Sequence, residues 1–297
     1  MGSALLKGKG LLFAAWKALA VFKIGYLLNP LITIGVYAML FGMPYAIAVF
    51  ILLLTHEMGH WIWMKALGLE PKLPIFIPGI GAYVAMTKLP PDEATHAWVA
   101  LAGPLVGGVT SAALFWFGVV YNNAWLMAAG NTGFFLNLFQ LIPAKPFDGG
   151  FVVHAIYKWL LIPGTAFLIA LTFYFKSVLL FVICIISFIS LLGLLARERA
   201  ARQQNTTLEE RYSPVVEKSP SGPFDQSGDP RPALTSAQGI SASSSLPLNT
   251  ITQLSIKPAP VEQRVLIAIA YFGLAGMLSY LYWLSSNDLI VFLPHHK

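Results

Sequence analysis

Two histidines and a glutamate stand close together in the stretch His-Glu-Met-Gly-His at residues 56–60. If the stretch is helical, His56 and His60 lie on one face, because residues four apart in a helix face the same way. Two imidazoles so placed can share one zinc ion, and Glu57 can accept a proton from water that the metal activates. Chance predicts on the order of 0.003 such matches in a chain of this composition. The motif therefore indicates zinc-dependent hydrolysis, with Glu57 as the general base.

A catalytic zinc also needs a third protein ligand and one open coordination position. Asp148 is the strongest candidate, because it ends a long apolar segment and is the sole acidic residue between Glu93 and Glu198. Gly149 and Gly150 after it allow the chain to turn sharply and approach a metal closely. Asp148 could also serve as the N-cap of the helix that follows. The remaining histidines are weaker candidates: His96, His154, His295 and His296.

The segment that carries the motif is apolar, and so is the chain as a whole. Hydrophobic residues make up 57% of the 297 residues and charged residues only 11%, whereas about 25% of residues are charged in a soluble domain. The composition predicts a mainly helical, polytopic membrane bundle with about six or seven spans in the lipid bilayer. The apolar segments run over residues 24–42, 44–66, 97–121, 124–143, 162–175, 177–195 and 264–284. The fifth and sixth are short, so they could instead form one long kinked helix.

The lysines and arginines indicate how the chain lies in the membrane, because cytoplasmic loops carry an excess of these residues. If the N-terminal lysines are cytoplasmic, then Lys65, Lys145 and Arg197 return to the same side after the second, fourth and sixth spans. This pattern predicts a cytoplasmic N-terminus and a metal site near the cytoplasmic face of a plasma or inner membrane. The net charge of +6 then reflects topology and does not indicate a nucleic acid partner.

The composition also divides the chain into segments. Residues 1–23 mix lysines with apolar residues at helical spacing, which predicts an interfacial amphipathic helix. Residues 24–195 are expected to form the membrane core. Residues 196–262 are rich in Ser, Pro and Gly and are predicted to be a disordered cytoplasmic linker, because they cannot bury enough apolar surface to fold alone. We also expect a last transmembrane helix over residues 263–285, followed by a tail over residues 286–297.

These stretches together resemble the site-2 protease family of intramembrane zinc metalloproteases. The likeness rests on "HEMGH" followed by "PAKPFDGG", where the family has an Asn…Pro…Leu-Asp-Gly pattern. "WVALAGPLVGG" at 98–108 resembles a family segment that opens the third core span. "PIFIPGIGAYVAM" at 74–86 is similar to a hairpin that dips back into the membrane near the metal, although its Pro and Gly residues also suit a plain interfacial loop. The resemblance covers about residues 25–195, and "QRVLIAIAYFGLAGMLSYL" is similar to a final helix of bacterial members without a PDZ or CBS domain.

The resemblance implies that the two motif histidines and Asp148 bind one zinc ion and that Glu57 is the general base. The family commonly has Asn eight residues before the metal-binding Asp, and this chain has Gln140 at that position. Asn137 lies one helical turn earlier, on a similar face. Since such an amide steadies the substrate or the scissile carbonyl in the family, the resemblance implies a substrate-binding role for Gln140 or Asn137.

The expected function is hydrolysis of peptide bonds within or near the transmembrane segments of membrane protein substrates. One alternative is a binding protein that holds membrane helices without cutting them, but such a protein has no need of Glu57. Another is an ion or metal transporter, which predicts ionisable residues along several spans. The spans are otherwise almost free of charge, so the sequence favours the zinc endopeptidase.

Overall fold

The computed structural model of the chain describes residues 28–78, 81–217 and 256–292. The predicted amphipathic segment 1–23 lies outside the described residues, and so does the greater part of the predicted linker, 218–255. The described chain is mainly helical, which confirms the fold class that the sequence predicted.

Eight α-helices follow one another along the described residues. In chain order they are α1 (Leu28–Phe41), α2 (Met43–Ala66), α3 (Glu93–Val120), α4 (Ala124–Gln140), α5 (Asp148–Tyr157), α6 (Leu161–Phe175), α7 (Val178–Glu217) and α8 (Val261–Phe292). A short 3₁₀ turn joins α5 to α6. Side-chain caps fix the starts of two core helices: Asp92 accepts a hydrogen bond from the Thr95 amide at α3, and Asn123 accepts one from Leu126 at α4.

Five stretches of the described chain are long and apolar enough to cross a membrane. They are α2, α3, α5 continued into α6 (Asp148–Phe175), the first part of α7 (Val178–Gln204) and most of α8 (Val261–Asn287). α1 is shorter, and so is α4, whose 17 residues extend about 25 Å at 1.5 Å per residue. The chain is therefore an integral membrane protein with five candidate spans and two shorter helices among its described residues.

The residues 162–195 form two helices, which answers the question that their short apolar segments left open. Lys176 takes a left-handed φ of 50° and ends α6, because a left-handed residue cannot continue a right-handed helix. Its amide donates to the Thr172 carbonyl at 3.0 Å. The Ser177 hydroxyl then accepts a hydrogen bond from the Leu180 amide at the start of α7.

α7 continues to Glu217 and so enters the stretch that the sequence predicted as linker from residue 196. The physical reason is composition: residues 196–210 are mainly Ala, Arg, Gln and Glu, which favour a helix even where they bury no apolar surface. The chain divides into two units within this helix, with Phe188–Ile256 forming the second unit. The site described below lies in the first.

Helices α2, α3 and α4 pack closely because small residues lie between them. A Cβ added to Gly59 of α2 would collide with the Ala102 carbonyl of α3. Gly130 and Gly133 of α4 lie against α3 in the same way, next to Ser111. Such close approach of the backbones stabilises membrane helices through van der Waals packing, because the hydrophobic effect does not drive helices together in lipid.

The last helix, α8, packs against α3, α4 and α5. The Tyr271 hydroxyl donates to the carbonyl of Leu141, at the end of α4, over 2.6 Å. The Asn131 amide of α4 donates to the hydroxyls of Ser285 and Ser286, each at 2.8 Å. α8 is thus part of the helical core although a long stretch of chain separates it from α7.

A two-stranded antiparallel hairpin lies between α2 and α3, as the sequence predicted. Strand β1 (Ile75–Ile77) pairs with β2 (Gly81–Tyr83), and Phe76 stands opposite Ala82. The side-chain amide of Asn29 in α1 donates to the Phe76 carbonyl at 2.6 Å and accepts from its amide at 2.8 Å. The outer edge of β1 is therefore occupied at Phe76 by a side chain of the protein itself.

Candidate metal centre

The C-terminal half of α2 carries His56, Glu57 and His60, and all three side chains are buried. α2 stays helical through Ala66, so the spacing of four residues places both imidazoles on one face. Their Nε2 atoms lie 3.2 Å apart. The predicted arrangement of the two histidines is therefore present.

Asp148 reaches both histidines from the first residue of α5. Its Oδ2 lies 3.1 Å from His56 Nε2 and 3.3 Å from His60 Nε2. The N-cap residue of α5 is Phe147, so the alternative role of Asp148 as an N-cap is not observed. The carboxylate faces the two imidazoles instead.

The loop before α5 folds back tightly on Asp148, and two glycines make this possible. A Cβ added to Gly149 would collide with the Leu141 carbonyl, and one added to Gly150 would collide with the backbone of Ala144. Both collisions are with main-chain atoms, which cannot move without shifting the loop. The glycines thus allow the start of α5, which carries Asp148, to pack against the residues that follow α4.

Hydrogen bonds to the far side of each imidazole fix which nitrogen carries the proton. His60 Nδ1 donates to the Val99 carbonyl at 2.8 Å, and His56 Nδ1 donates to Asn137 Oδ1 at 2.9 Å. Because a carbonyl oxygen can only accept, we assign the proton of each neutral ring to Nδ1. Each Nε2 then directs a lone pair towards Asp148.

Three hydrogen-bond acceptors therefore converge on one point, and their separations suit a metal ion. Asp148 Oδ2 is buried and has no hydrogen-bond partner among the described residues. Ligands held tetrahedrally at about 2.0–2.1 Å from zinc lie about 3.3–3.4 Å from one another. The observed separations of 3.1–3.3 Å are close to this value. In the part of the chain that the structure describes, His56, His60 and Asp148 form a possible metal site, and two imidazoles with one carboxylate suit zinc.

A cavity of about 300 Å³ is lined by two of these three residues, His60 and Asp148. Glu57 contributes to its wall while remaining only 3% exposed. Strand β2 and the residues after it form another part of the wall, with Ala82, Tyr83, Val84 and Met86. The cavity thus brings the buried carboxylate, the possible metal site and a β-strand together.

The two amide residues that the sequence indicated, Gln140 and Asn137, lie in different surroundings in the structure. Gln140 lines the cavity. Asn137 is buried behind His56, and its Oδ1 accepts from the imidazole. Sequence reasoning did not foresee this contact, because it joins residues 81 positions apart on two different helices.

The other two histidines of the described residues, His96 and His154, take no part in the group of three. His96 lines the cavity and lies against the Phe151 ring, with the ring centroids 4.7 Å apart. His154 faces Glu93, with Nε2 and Oε1 3.4 Å apart. His295 and His296 lie outside the described residues.

Replacing Gly103 with Ala is expected to disturb the metal site directly. A Cβ at this position of α3 would lie 2.9 Å from His56 Nε2 and closer still to His60 Nε2. Such overpacking costs about 1–3 kcal/mol, so we expect zinc affinity, measured by chelator competition, to fall roughly tenfold or more. Gly108→Ala is the matched control, because its Cβ would meet only the flexible end of Leu278. Equal zinc affinity in both variants would contradict the prediction.

The fold and the site together define a class of protein: a helical membrane protein with two buried histidines, a partly buried aspartate beside them and an adjacent glutamate. Residues 44–127, which include both histidines and Glu57, match the family model for peptidase family M50. The resemblance to the site-2 protease family that the motifs indicated is thereby confirmed.

The chain is also similar to proteins named as zinc metalloproteases. A probable zinc metalloprotease of the chloroplast in Arabidopsis thaliana is 34% identical over 83 residues, which are 26% of this chain and 15% of that protein. A zinc metalloprotease of Methanocaldococcus jannaschii is 30% identical over 115 residues, which are 37% of this chain and 33% of that protein. The matches therefore span a third or less of the length of these relatives.

Proposed function

We propose that this chain is an intramembrane zinc endopeptidase that hydrolyses peptide bonds within or near the transmembrane segments of other proteins. The observation that carries the proposal is the convergence of His56, His60 and Asp148 beside a buried glutamate in an apolar bundle. Ionisable side chains in a membrane helix are costly and are retained for function. The names of the similar proteins support the same chemistry.

In this proposal the two histidines and Asp148 hold zinc, and Glu57 moves the protons. Bound zinc supplies a Lewis acid that polarises a carbonyl oxygen and lowers the pKa of water to about 7. The Glu57 carboxylate takes a proton from the attacking water as the water oxygen bonds to the scissile carbonyl carbon. Glu57 then returns that proton to the leaving amine nitrogen as the C–N bond breaks. One water is consumed for each peptide bond cut.

The hairpin offers a way to present an unwound substrate. A transmembrane helix hides its peptide bonds in its own hydrogen bonds, so it must first become extended. Asn29 already occupies the outer edge of β1 at Phe76, whereas Ala82 of β2 lines the cavity. An extended segment of the substrate would pair with β2, as in strand addition, and so lie next to Glu57.

The distribution of positive charge supports an orientation for the proposed enzyme. The N-terminus is placed in the cytoplasm, and the metal site lies near the cytoplasmic face of a plasma or inner membrane. Water reaches the site from that side. Single-pass membrane proteins are the proposed substrates.

Because Gln140 lies in the cavity wall, we predict which substitutions at this position retain cleavage activity. Gln140→Asn retains the amide and is expected to retain most of the cleavage activity. Gln140→Leu is expected to lower kcat by up to about 10²–10³-fold, the effect of losing one hydrogen-bond donor to the reacting carbonyl. Rates on one substrate with equal amounts of folded enzyme measure both. An inactive but folded Gln140→Asn variant would contradict the amide role.

The proposed function is tested by comparing the membrane proteomes of native cells that carry the wild-type chain or Glu57→Gln at equal expression. We expect a few single-pass proteins to accumulate uncut with the variant and their shortened products to disappear. These proteins are then the substrates. If the two proteomes are the same under several stresses while both chains bind the same partners, the chain is a binding protein and the proposal fails.

A further inference from the structure

Asn137 of α4 is one of the most buried polar side chains among the described residues, at 2% exposure. Its Nδ2 donates to the Gly133 carbonyl on the preceding turn of α4 at 2.7 Å. Since only the NH₂ end of an amide can donate to a carbonyl, the opposite end of the side chain must be the oxygen. Oδ1 is therefore the atom that faces His56.

This orientation determines the state of His56. Oδ1 accepts from His56 Nδ1 at 2.9 Å, so Nδ1 carries the proton and Nε2 carries the lone pair. His56 Nε2 is the atom that lies 3.1 Å from Asp148. The equivalent bond of His60 goes to the main-chain carbonyl of Val99. The orientation of His56 thus depends on one side chain.

The side-chain amide of Asn137 is tightly packed against neighbouring helices. A Cβ added to Gly107 of α3 would collide with Asn137 Oδ1. A Cβ added to Gly133 would collide with the hydroxyl of Ser111, which itself donates to the Gly107 carbonyl at 2.7 Å. Three helices therefore meet at this amide: α2 through His56, α3 through Gly107, and α4 through Asn137 itself.

We propose that Asn137 is a positioning residue that holds the His56 ring in the orientation and tautomer needed to bind metal. The inference rests on the proposed function, since it assumes that His56 is a metal ligand. It differs from the substrate-binding role that the sequence suggested for Asn137. Outer partners of metal-binding histidines typically contribute 10–100-fold to metal affinity, and we expect an effect of this size.

The test is a zinc titration of the metal-free protein in detergent against a chromophoric chelator. Asn137→Leu keeps the size of the side chain and removes the acceptor, so its zinc affinity is expected to fall 10–100-fold. Asn137→Asp keeps an acceptor for His56 Nδ1 and loses only the bond to Gly133, so it is expected to bind more tightly than Asn137→Leu. The visible spectrum of bound Co²⁺ should change in the Leu variant and return towards the wild-type spectrum in the Asp variant.

Asn131→Leu is the matched control, because Asn131 lies on the same helix and bonds to α8 instead of His56. It is expected to bind zinc as the wild type does. If Asn137→Leu does not fold, Gly107→Ala replaces it in the test, since its methyl group would displace Oδ1, and its zinc affinity is expected to fall at least tenfold.

Three results separate the inference from the proposed function. A wild-type chain that binds no zinc would overturn both. A wild-type chain that binds zinc while Asn137→Leu, or Gly107→Ala in its place, binds equally well would overturn the inference alone. An Asn137→Asp variant as weak as the Leu variant would also overturn it, because rescue by an acceptor is what distinguishes positioning from packing.

Discussion

Replacing Glu57 with Gln is expected to lower the cleavage rate by about 10²–10⁴-fold, the usual contribution of a general base, while bound zinc stays at the wild-type level. Gln is nearly isosteric with Glu but cannot accept the proton of the attacking water. Glu57 is not one of the three residues of the possible metal site, so its replacement leaves that group complete. The measurement pairs single-turnover cleavage of a substrate with elemental analysis of the same preparation.

The control for this prediction is Glu70→Gln. Glu70 follows α2 and forms an exposed ion pair with Lys88 at 2.7 Å, where exposed pairs contribute little. This variant is expected to cleave at the wild-type rate. Cleavage by Glu57→Gln within a few-fold of the wild type would mean that another group takes the proton.

Asp148→Ala is expected to remove most of the bound zinc and, with it, all measurable cleavage. Two imidazoles alone leave half of a tetrahedral site without protein ligands, and Ala at this position also removes a negative charge that would balance the charge of the metal. The measurement is zinc content after dialysis against a chelator that leaves the wild type loaded. A fall from about one ion per chain towards none is the expected result.

Asp92→Ala serves as the control, because Asp92 is also an aspartate at the start of a helix. It caps α3 through the Thr95 amide, and its loss is expected to cost about 1 kcal/mol of stability without affecting zinc. Full zinc occupancy in Asp148→Ala would show that the third ligand is a different residue, and His96 in the cavity wall would then be the next variant to make.

The elements that could be predicted from sequence are those governed by local rules. A spacing of four places His56 and His60 on one helical face wherever α2 lies. The isolated acidic residue Asp148 stood out because a charge among apolar spans is rare. Composition alone was enough to predict the membrane bundle.

What escaped prediction depends on which helices become neighbours. The contact between Asn137 and His56 crosses from α4 to α2, and no periodicity within either helix indicates it. The close contacts of the α3 glycines could not be predicted either: Gly103 lies against His60 and Gly107 against Asn137. The end of α7 was missed for a different reason, since helix propensity outweighed low apolar content there.

The hydrogen bond from Tyr271 to the Leu141 carbonyl has a consequence for biosynthesis. Leu141 begins the loop that delivers Asp148, and Gly149 packs against that same carbonyl. Its hydrogen-bond partner Tyr271 is 130 residues further along the chain, so it is synthesised after the histidines and the aspartate. A nascent chain that has not yet made α8 therefore lacks this hydrogen bond, and the loop before Asp148 gains it only once Tyr271 has been synthesised.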